Sequence, residues 1–563
     1  MASGIRETTK PQLEIYLEKP WGGVASDADP VDIADNQFVS GQGVIDVDGQ
    51  LCQVNATASP LAFLWIPNFN NSVPLIIFNL GGKLFGIDQF GMVYILNTGA
   101  GPTFPTFFAF LANASDGPWA GVNLFNPLAN IAVQVLNGLA YIGVPFMNSI
   151  YTFDGSASGL QLASNYTGGS VMGTLDDYLL QMNTNSAIDG EQPTRVNWSS
   201  PGAFSVWDPS IDRSAGFDTL VNIEDAITGF ISLATVGIII GQKGLVEVSP
   251  TGVGIGPFSF DALWTSEVGQ GILYPNTVSQ YGQRTFAGTD TGVFQISTSG
   301  FNEVSKVIRT LMFGPVQEST LGFAGATANI PPLFAGNVML YALNSSYPTP
   351  YYVFATTTPQ TSPAQKSMLI VWFLNLESGA WFYQTFNIDD LVNSQHGTTL
   401  SNLEPQQLKI ASVTTLGFNA GSNGFNTLPN LLIYGAALNA SNNGSFSFIA
   451  PIYINNKKNF STTLNTPSPL AIASKAWEMK LGRKPTVRRV IMKAYGAGTL
   501  NIFVNDIPFG VITLDGTTTS KVYKTPRGIC TEEAPQLIIT STNFKGVIIK
   551  IMLAGTYADG DID

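Results

Sequence analysis

The sequence predicts an all-β protein: a β-propeller with an N-terminal arm and a C-terminal β-sandwich domain. Three observations carry this prediction. Apolar strand–Gly–turn–strand segments recur along the chain. Glycine and proline, 57 and 33 in 563 residues, punctuate its whole length. Long stretches of 3.6-residue apolar periodicity, the mark of amphipathic helices, are almost absent.

The recurring segments are LFGIDQFGMVYIL (84–96), LAYIGVPFMNSIYTF (139–153), IIIGQKGLVEV (238–248) and RTFAGTDTGVFQI (284–296). Each reads as two strands of alternating apolar positions around a short turn, which is hairpin logic. Their anchoring glycines are Gly86, Gly143, Gly241 and Gly288. The widest gap, between Gly143 and Gly241, holds a further strand at DDYLLQMN (176–183). YYVFATTT pairs with the hairpin MLIVWFLNLESGAWFYQTF (368–386), and LLIYGAALNASNNGSFSFI (431–449) is another strand–turn–strand. Roughly seven units of about 45–60 residues result, which is the signature of a propeller over 55–455.

Residues 1–54 read as an acidic, irregular arm, and 456–474, polar and proline-containing, as a linker. Six strands then crowd into 475–563: AWEMKL, TVRRVIMKAY, TLNIFVND, FGVITL, QLIITS and GVIIKIML. Such density reads as a small β-sandwich.

Charge divides along the same line. The net charge is −13. Residues 1–474 hold 14 Lys and Arg against 31 Asp and Glu, a net of −17, while 475–550 hold 12 against 5, a net of +7. The two parts therefore face different partners. An acidic body argues against tight nucleic-acid binding, which needs cations to displace counterions. The start, MASGIRETTKPQLEIY, lacks the apolar run of a signal peptide. FISLATVGIII (230–240) is too short to span a membrane, so no membrane insertion is expected. Cys52 and Cys530 are the two cysteines, which excludes a disulfide framework and points to a reduced compartment.

No catalytic constellation stands out. His396 is the single histidine, in a polar stretch that reads as a loop, and it leaves no His-rich metal site. Asp176-Asp177, Glu224-Asp225 and Asp389-Asp390 are adjacent carboxylates. Neighbours on a strand point to opposite faces, so adjacency makes no acid–base dyad. Asp46-Val47-Asp48-Gly49 holds a fragment of a calcium loop, and a tight Asp-Gly hairpin turn explains it better. The propeller region offers Arg195, Arg213, Arg284 and Arg309, too few for a sialidase-type carboxylate grip. No cofactor or metal is expected.

Two features remain. Arg483, Lys484, Arg488, Arg489 and Lys493 cluster around TVRRVIMKAY. They read either as a solvated, charge-protected edge or as a subunit interface that docks on an acidic neighbour; on a regular strand Arg488 and Arg489 would face opposite ways. The segment RVNWSSPGAFSVWDP (195–209) sets Trp198 and Trp207 around loop formers, either as an aromatic shelf for a glycan or as packing between blades.

The order of several segments resembles the nozzle or tail-tubular proteins of short-tailed bacteriophages. These segments are Pro20-Trp21-Gly22-Gly23 through Asp29-Pro30; Pro193, Arg195, Val196, Trp198, Ser199 and Trp207; IIIGQKGLVEV; FAGTDTGVFQI; and Asn375, Ser378, Gly379, Ala380 and Trp381. The resemblance covers most of 15–385. It implies a virion part without enzymatic activity, made in the host cytoplasm. Six identical subunits would form a ring below the portal and adaptor proteins, near tail fibres or spikes, with double-stranded DNA passing through without sequence-specific binding. On that resemblance Trp198 ends a blade strand and Trp207 packs the crossover to the next blade. A receptor- or glycan-binding tail protein is the alternative.

Overall fold

A computed structural model describes residues 12–17, 21–25, 34, 37–56, 63–65, 72–97, 106–119, 130–223, 225–233, 235–253, 256–265, 277–282, 284–289, 291–297, 300–313, 339–343, 351–358, 368–396, 403–412, 431–439, 444–454, 470–477, 483–526, 530–531 and 534–559. The described chain is nearly all strand.

Among the described residues seven antiparallel blades follow one another, the sixth and seventh continuous with the sandwich strands. Blade one is Pro74–Leu80, Lys83–Asp88, Val93–Asn97 and Thr106–Ala112, with Phe63–Trp65 added parallel at its edge. Blade two is Ala132–Leu136, Leu139–Val144, Ser149–Phe153 and Gln161–Ser164. Blade three is Thr167–Leu175, Tyr178–Ser186, Gly190–Trp198 and Gly216–Thr219. Blade four is Ile227–Leu233, Val236–Gly241, Gly244–Pro250 and Phe258–Thr265, and blade five is Ser279–Tyr281, Arg284–Gly288, Val293–Ser297 and Gly300–Glu303. Blade six is Met339–Leu343, Tyr351–Thr358, Met368–Asn375 and Trp381–Asn387.

Blade seven takes Leu403–Ser412, Leu431–Asn439 and Gly444–Ile454 from the end of the propeller region. Its fourth strand comes from the N-terminus: Val54, Asn55 and Ala56 pair with Ile454, Tyr453 and Ile452. First strands of successive blades touch, those of blades four and five through the Gln280 side chain, which donates to the Ser232 carbonyl, and the first strand of blade seven reaches that of blade one, so the ring closes. Apolar residues from facing sheets fill the seams. Ile227, Ile239 and Val246 meet Leu180, Met182 and Trp198 between blades three and four. Fully burying one such aliphatic side chain contributes about 1.5–3 kcal/mol.

The N-terminal residues differ from the irregular arm expected of them. Gln12–Leu17 pairs with Lys545–Asp559, and Gln37–Gln42 pairs with Leu470–Ala476. Leu51 and Cys52 pair with Ile548 and Val547. The cause is apolar alternation that the acidic composition masked: Leu17, Phe38, Val44, Ile45, Leu51 and Val54 are all buried in the largest core. The expected Asp-Gly turn is present, with Asp48 and Gly49 at φ 51° and 72°, the left-handed pair that a two-residue hairpin requires.

The sandwich also begins earlier than expected, inside the stretch read as a linker, because LAIAS is apolar and buried. Its TVRRVIMKAY and TLNIFVND stretches fuse into one strand, Arg483–Val504. Gly496 (φ 125°) lets that strand cross Lys545–Asp559 at close range; a Cβ there would lie 2.2 Å from the Lys545 carbonyl oxygen. AWEMKL forms no separate strand in the described residues: Trp477 is buried, and 478–481 lie outside them.

Candidate assembly surface

Of the basic cluster, Arg488, Arg489 and Lys493 lie on the outer face of the sandwich. A bulge between Val487 and Arg489 sets two residues of this strand against the Gly555–Ala554 step of its neighbour. Val487 and Val490 therefore both enter the core, and the strict alternation expected for Arg488 and Arg489 is broken. Arg489 is exposed; Arg488 is half-buried, with its Nε donating to Thr556 Oγ1 at 3.4 Å. Arg483 and Lys484 stand opposite Asp559 and Ala558 in register.

Cross-strand register adds residues that the linear cluster does not contain. Lys493 lies directly opposite Val522 on one side and Lys550 on the other. Ile491 lies opposite Lys524 and Met552, and Met552 opposite Tyr16. Directly opposed residues share a face, so these form one patch. Lys493, Val522, Lys524 and Tyr16 are exposed. The Lys550 ammonium sits 4.2 Å from the Tyr16 ring centroid. Among the described residues, Arg489, Lys493 and Lys524 make no ion pair. Two lysines directly opposed on neighbouring strands repel, and a partner's carboxylates would relieve that repulsion. The signal missed in the sequence was Lys521-Val522-Tyr523-Lys524, where Val522 and Lys524 alternate with the half-buried Tyr523.

Trp198 ends the third strand of blade three and is 7% exposed. It packs edge-on against Phe258 of blade four at 5.7 Å. Trp207 is buried, and its Nε1 donates to the Phe204 carbonyl at 2.9 Å. It packs with Ile150 and Leu179, between blades two and three. It thus faces the preceding blade and not the next, because the connection after Trp198 folds back over its own sheet: the Gly202 N–H donates to the Asp177 carbonyl. Neither ring presents a shelf to solvent.

Gly86, Gly143, Gly241 and Gly288 all fall in the second strand of their blade. Two of them admit a neighbouring segment: a Cβ on Gly143 would lie 2.6 Å from the Gly169 carbonyl oxygen, and one on Gly241 would lie 2.4 Å from Ile223.

The chemical residues stay apart. His396 ends the helix Ile388–His396 and does not lie in the expected loop. Arg195 pairs with Asp189 at 2.6 Å and lies over Phe217; Arg284 donates to the Leu376 carbonyl; Arg309 pairs with Glu303. Those three arginines serve three different local contacts and do not converge on a carboxylate site. Asp225, of the Glu224-Asp225 pair, bonds Lys243 at 2.9 Å; Glu224 lies outside the described residues. No His, Cys, Asp and Glu cluster suited to a metal occurs among the described residues, and no described helix is long and apolar enough to cross a membrane.

The fold and this surface define a two-part protein, a seven-bladed propeller carrying a β-sandwich with a basic, partly apolar sheet face. The chain matches no protein-family model and no curated protein. Among solved structures it is similar to BBS1N in complex with ARL6DN, at 10% identity and TM-score 0.36, covering 74% of this chain and 99% of that one. It is similar to the N-terminal domain of Nup159 at 10% identity and TM-score 0.33, covering 74% and 95%. An exo-β-1,3-galactanase from Phanerochaete chrysosporium gives 11% identity and TM-score 0.24, covering 89% and 100%. Scores this low carry no conclusion about substrate, ligand or partner.

Proposed function

We propose that the chain is a structural, non-enzymatic subunit of a bacteriophage tail. In this reading it builds a nozzle-like ring of identical subunits, six by resemblance, below the portal and adaptor proteins. Genome DNA passes through the ring, and tail fibres or spikes attach around it. The protein is made in the host cytoplasm and works in the virion.

One observation supports this reading above the others. Two segments that carry the sequence resemblance meet in space as backbone packing. Gly23, of the Pro-Trp-Gly-Gly opening, adopts φ 71°, and a Cβ on it would lie 2.5 Å from the Trp381 backbone nitrogen. Trp381, of the late Ser-Gly-Ala-Trp strand, is buried and donates from Nε1 to the Val304 carbonyl at 2.8 Å. In this reading the shared residues serve to hold strands in place, as befits a particle component. The net charge of −13 agrees, since an acidic particle component repels phosphate and keeps DNA from sticking.

Negative-stain images of the purified full chain test the proposal. Closed rings with a central opening are expected. Globular monomers at every concentration, or hydrolysis of a tail-receptor glycan by the pure protein, would overturn it.

A further inference from the structure

On the ring reading above, we propose where the basic sheet face docks: on the outer edge of blade three of a second copy of this chain. Three observations lead there.

The first is charge. Blade three, over 167–219, carries seven Asp or Glu against two Arg, a net of −5; each of the other six blades nets 0 or −1 over its own span. The acidity of the propeller is therefore concentrated on one blade. The second is surface character. Asp189, Glu191 and Asp218 are exposed, as are Ile188, Phe217 and Val221, at 76%, 43% and 88%; Asp189 pairs with Arg195, which lies over Phe217, and Asp218, next to Phe217 on the edge strand, points to the other face. The basic face has the same mixed build, with Arg489, Lys493 and Lys524 around Val522 and Tyr16. Acid and apolar groups along the rim of blade three thus match base and apolar groups on the sandwich face, which favours both encounter and burial.

The third is position. The sandwich is tied to the ring at blades six and seven, through Gln42 beside Tyr383 and through Val54 beside Ile454. In a seven-membered ring, blade three lies across from the junction of six and seven. The basic face therefore cannot fold back onto the acidic edge of its own chain. A face-to-face dimer of two basic faces would set like charges together and is disfavoured. What remains is a head-to-tail contact between different faces, the kind that closes rings when the rotation between subunits permits.

Sedimentation of the full chain tests this. Lys493→Glu with Lys524→Glu is one variant, Glu191→Lys with Asp218→Lys a second, and all four changes together a third. Each double variant should raise the subunit dissociation constant on the order of tenfold or more, and the quadruple variant should recover much of the loss. Wild-type assembly should weaken between about 0.05 and 0.5 M NaCl, as screening shortens. Recovery in the quadruple variant also shows that neither double change merely unfolds the chain. Rings that form equally well in every variant would overturn the docking surface and leave the ring reading standing, as would two losses without recovery. A wild type that never assembles would overturn both.

Discussion

The backbone N–H of Ile77 donates to the hydroxyl of Tyr434 at 2.8 Å. Ile77 lies in the first strand of blade one and Tyr434 in the second strand of blade seven. The bond crosses the seam where the ring shuts, inside a core of Ile77, Leu84, Met92, Tyr94, Leu432 and Ile449. An early segment is committed to blade seven as well, since the strand Gln50–Ala56 completes it beside Gly444–Ile454. Closure therefore depends on contacts between residues remote in sequence, which form only after loop entropy has been paid.

Replacing Tyr434 by Phe keeps the ring packing and removes the acceptor. The Ile77 N–H would then be buried without that partner, at a cost of about 1–3 kcal/mol. Urea denaturation should show a lower midpoint with the same slope, and hydrogen exchange should rise first in blades one and seven. An unchanged midpoint would show that the bond does not hold the seam.

The same seam logic predicts a contrast between two glycines of blade one. Gly91 has φ 73°, and a Cβ on it would come 2.6 Å from the Trp119 ring. Gly81 has φ 59° and nothing within 4 Å of a Cβ. Gly81→Ala incurs backbone strain alone, about 1 kcal/mol. Gly91→Ala adds a clash with an indole packed between Phe146 and Tyr151 at 5.6 and 5.3 Å, and should lose about 1–3 kcal/mol more. Equal melting temperatures for the two variants would contradict the clash.

Much of the propeller was legible because its hairpins are local. Strict alternation and a glycine near each turn mark LFGIDQFGMVYIL or RTFAGTDTGVFQI without knowledge of any other residue. What was not legible is long-range pairing. Nothing in QLCQVNA announces that its last residues complete a blade formed some four hundred residues later, or that Gln12–Leu17 lies beside Lys545–Asp559. The basic cluster was visible as a run. Its patch was not, because Tyr16, Val522, Lys524 and Lys550 join it only through register. Trp207 was read against the wrong blade because a loop that doubles back has no periodicity to reveal its direction.

Cys52 should be inert in the folded protein. It is 1% exposed, and burial, reinforced by the nearby Asp46 charge, pushes its thiol far above the ordinary range. The thiolate is the reactive form, so alkylation mapped by mass spectrometry should leave Cys52 unmodified until the chain is unfolded. Labelling of native Cys52 at the rate of a free thiol would mean that the joint between the N-terminal strands and the sandwich opens.

Asp46, beside that cysteine, makes stability depend on pH. It is 5% exposed. Burial raises its pKa from 3.8 to about 6, against the lowering effect of the Gly49 and Gln50 backbone N–H groups, with Asp48 and Glu377 adding to the rise. Its Oδ1 is buried and accepts no hydrogen bond. Below 3.8 the group is protonated in the folded and unfolded chains alike and stability is unaffected. Between 3.8 and about 6 the folded chain holds the proton and the unfolded chain does not, so stability falls as pH rises through this window. Above it both forms are ionised and the full penalty, roughly 3 kcal/mol, is present. Asp46→Asn removes the charge while keeping an acceptor for the turn. The variant should therefore melt above the wild type near about pH 7.5 and converge with it near about pH 4. A melting difference that stays constant across that range would show that the substitution acts through packing and that the carboxylate does not titrate as described.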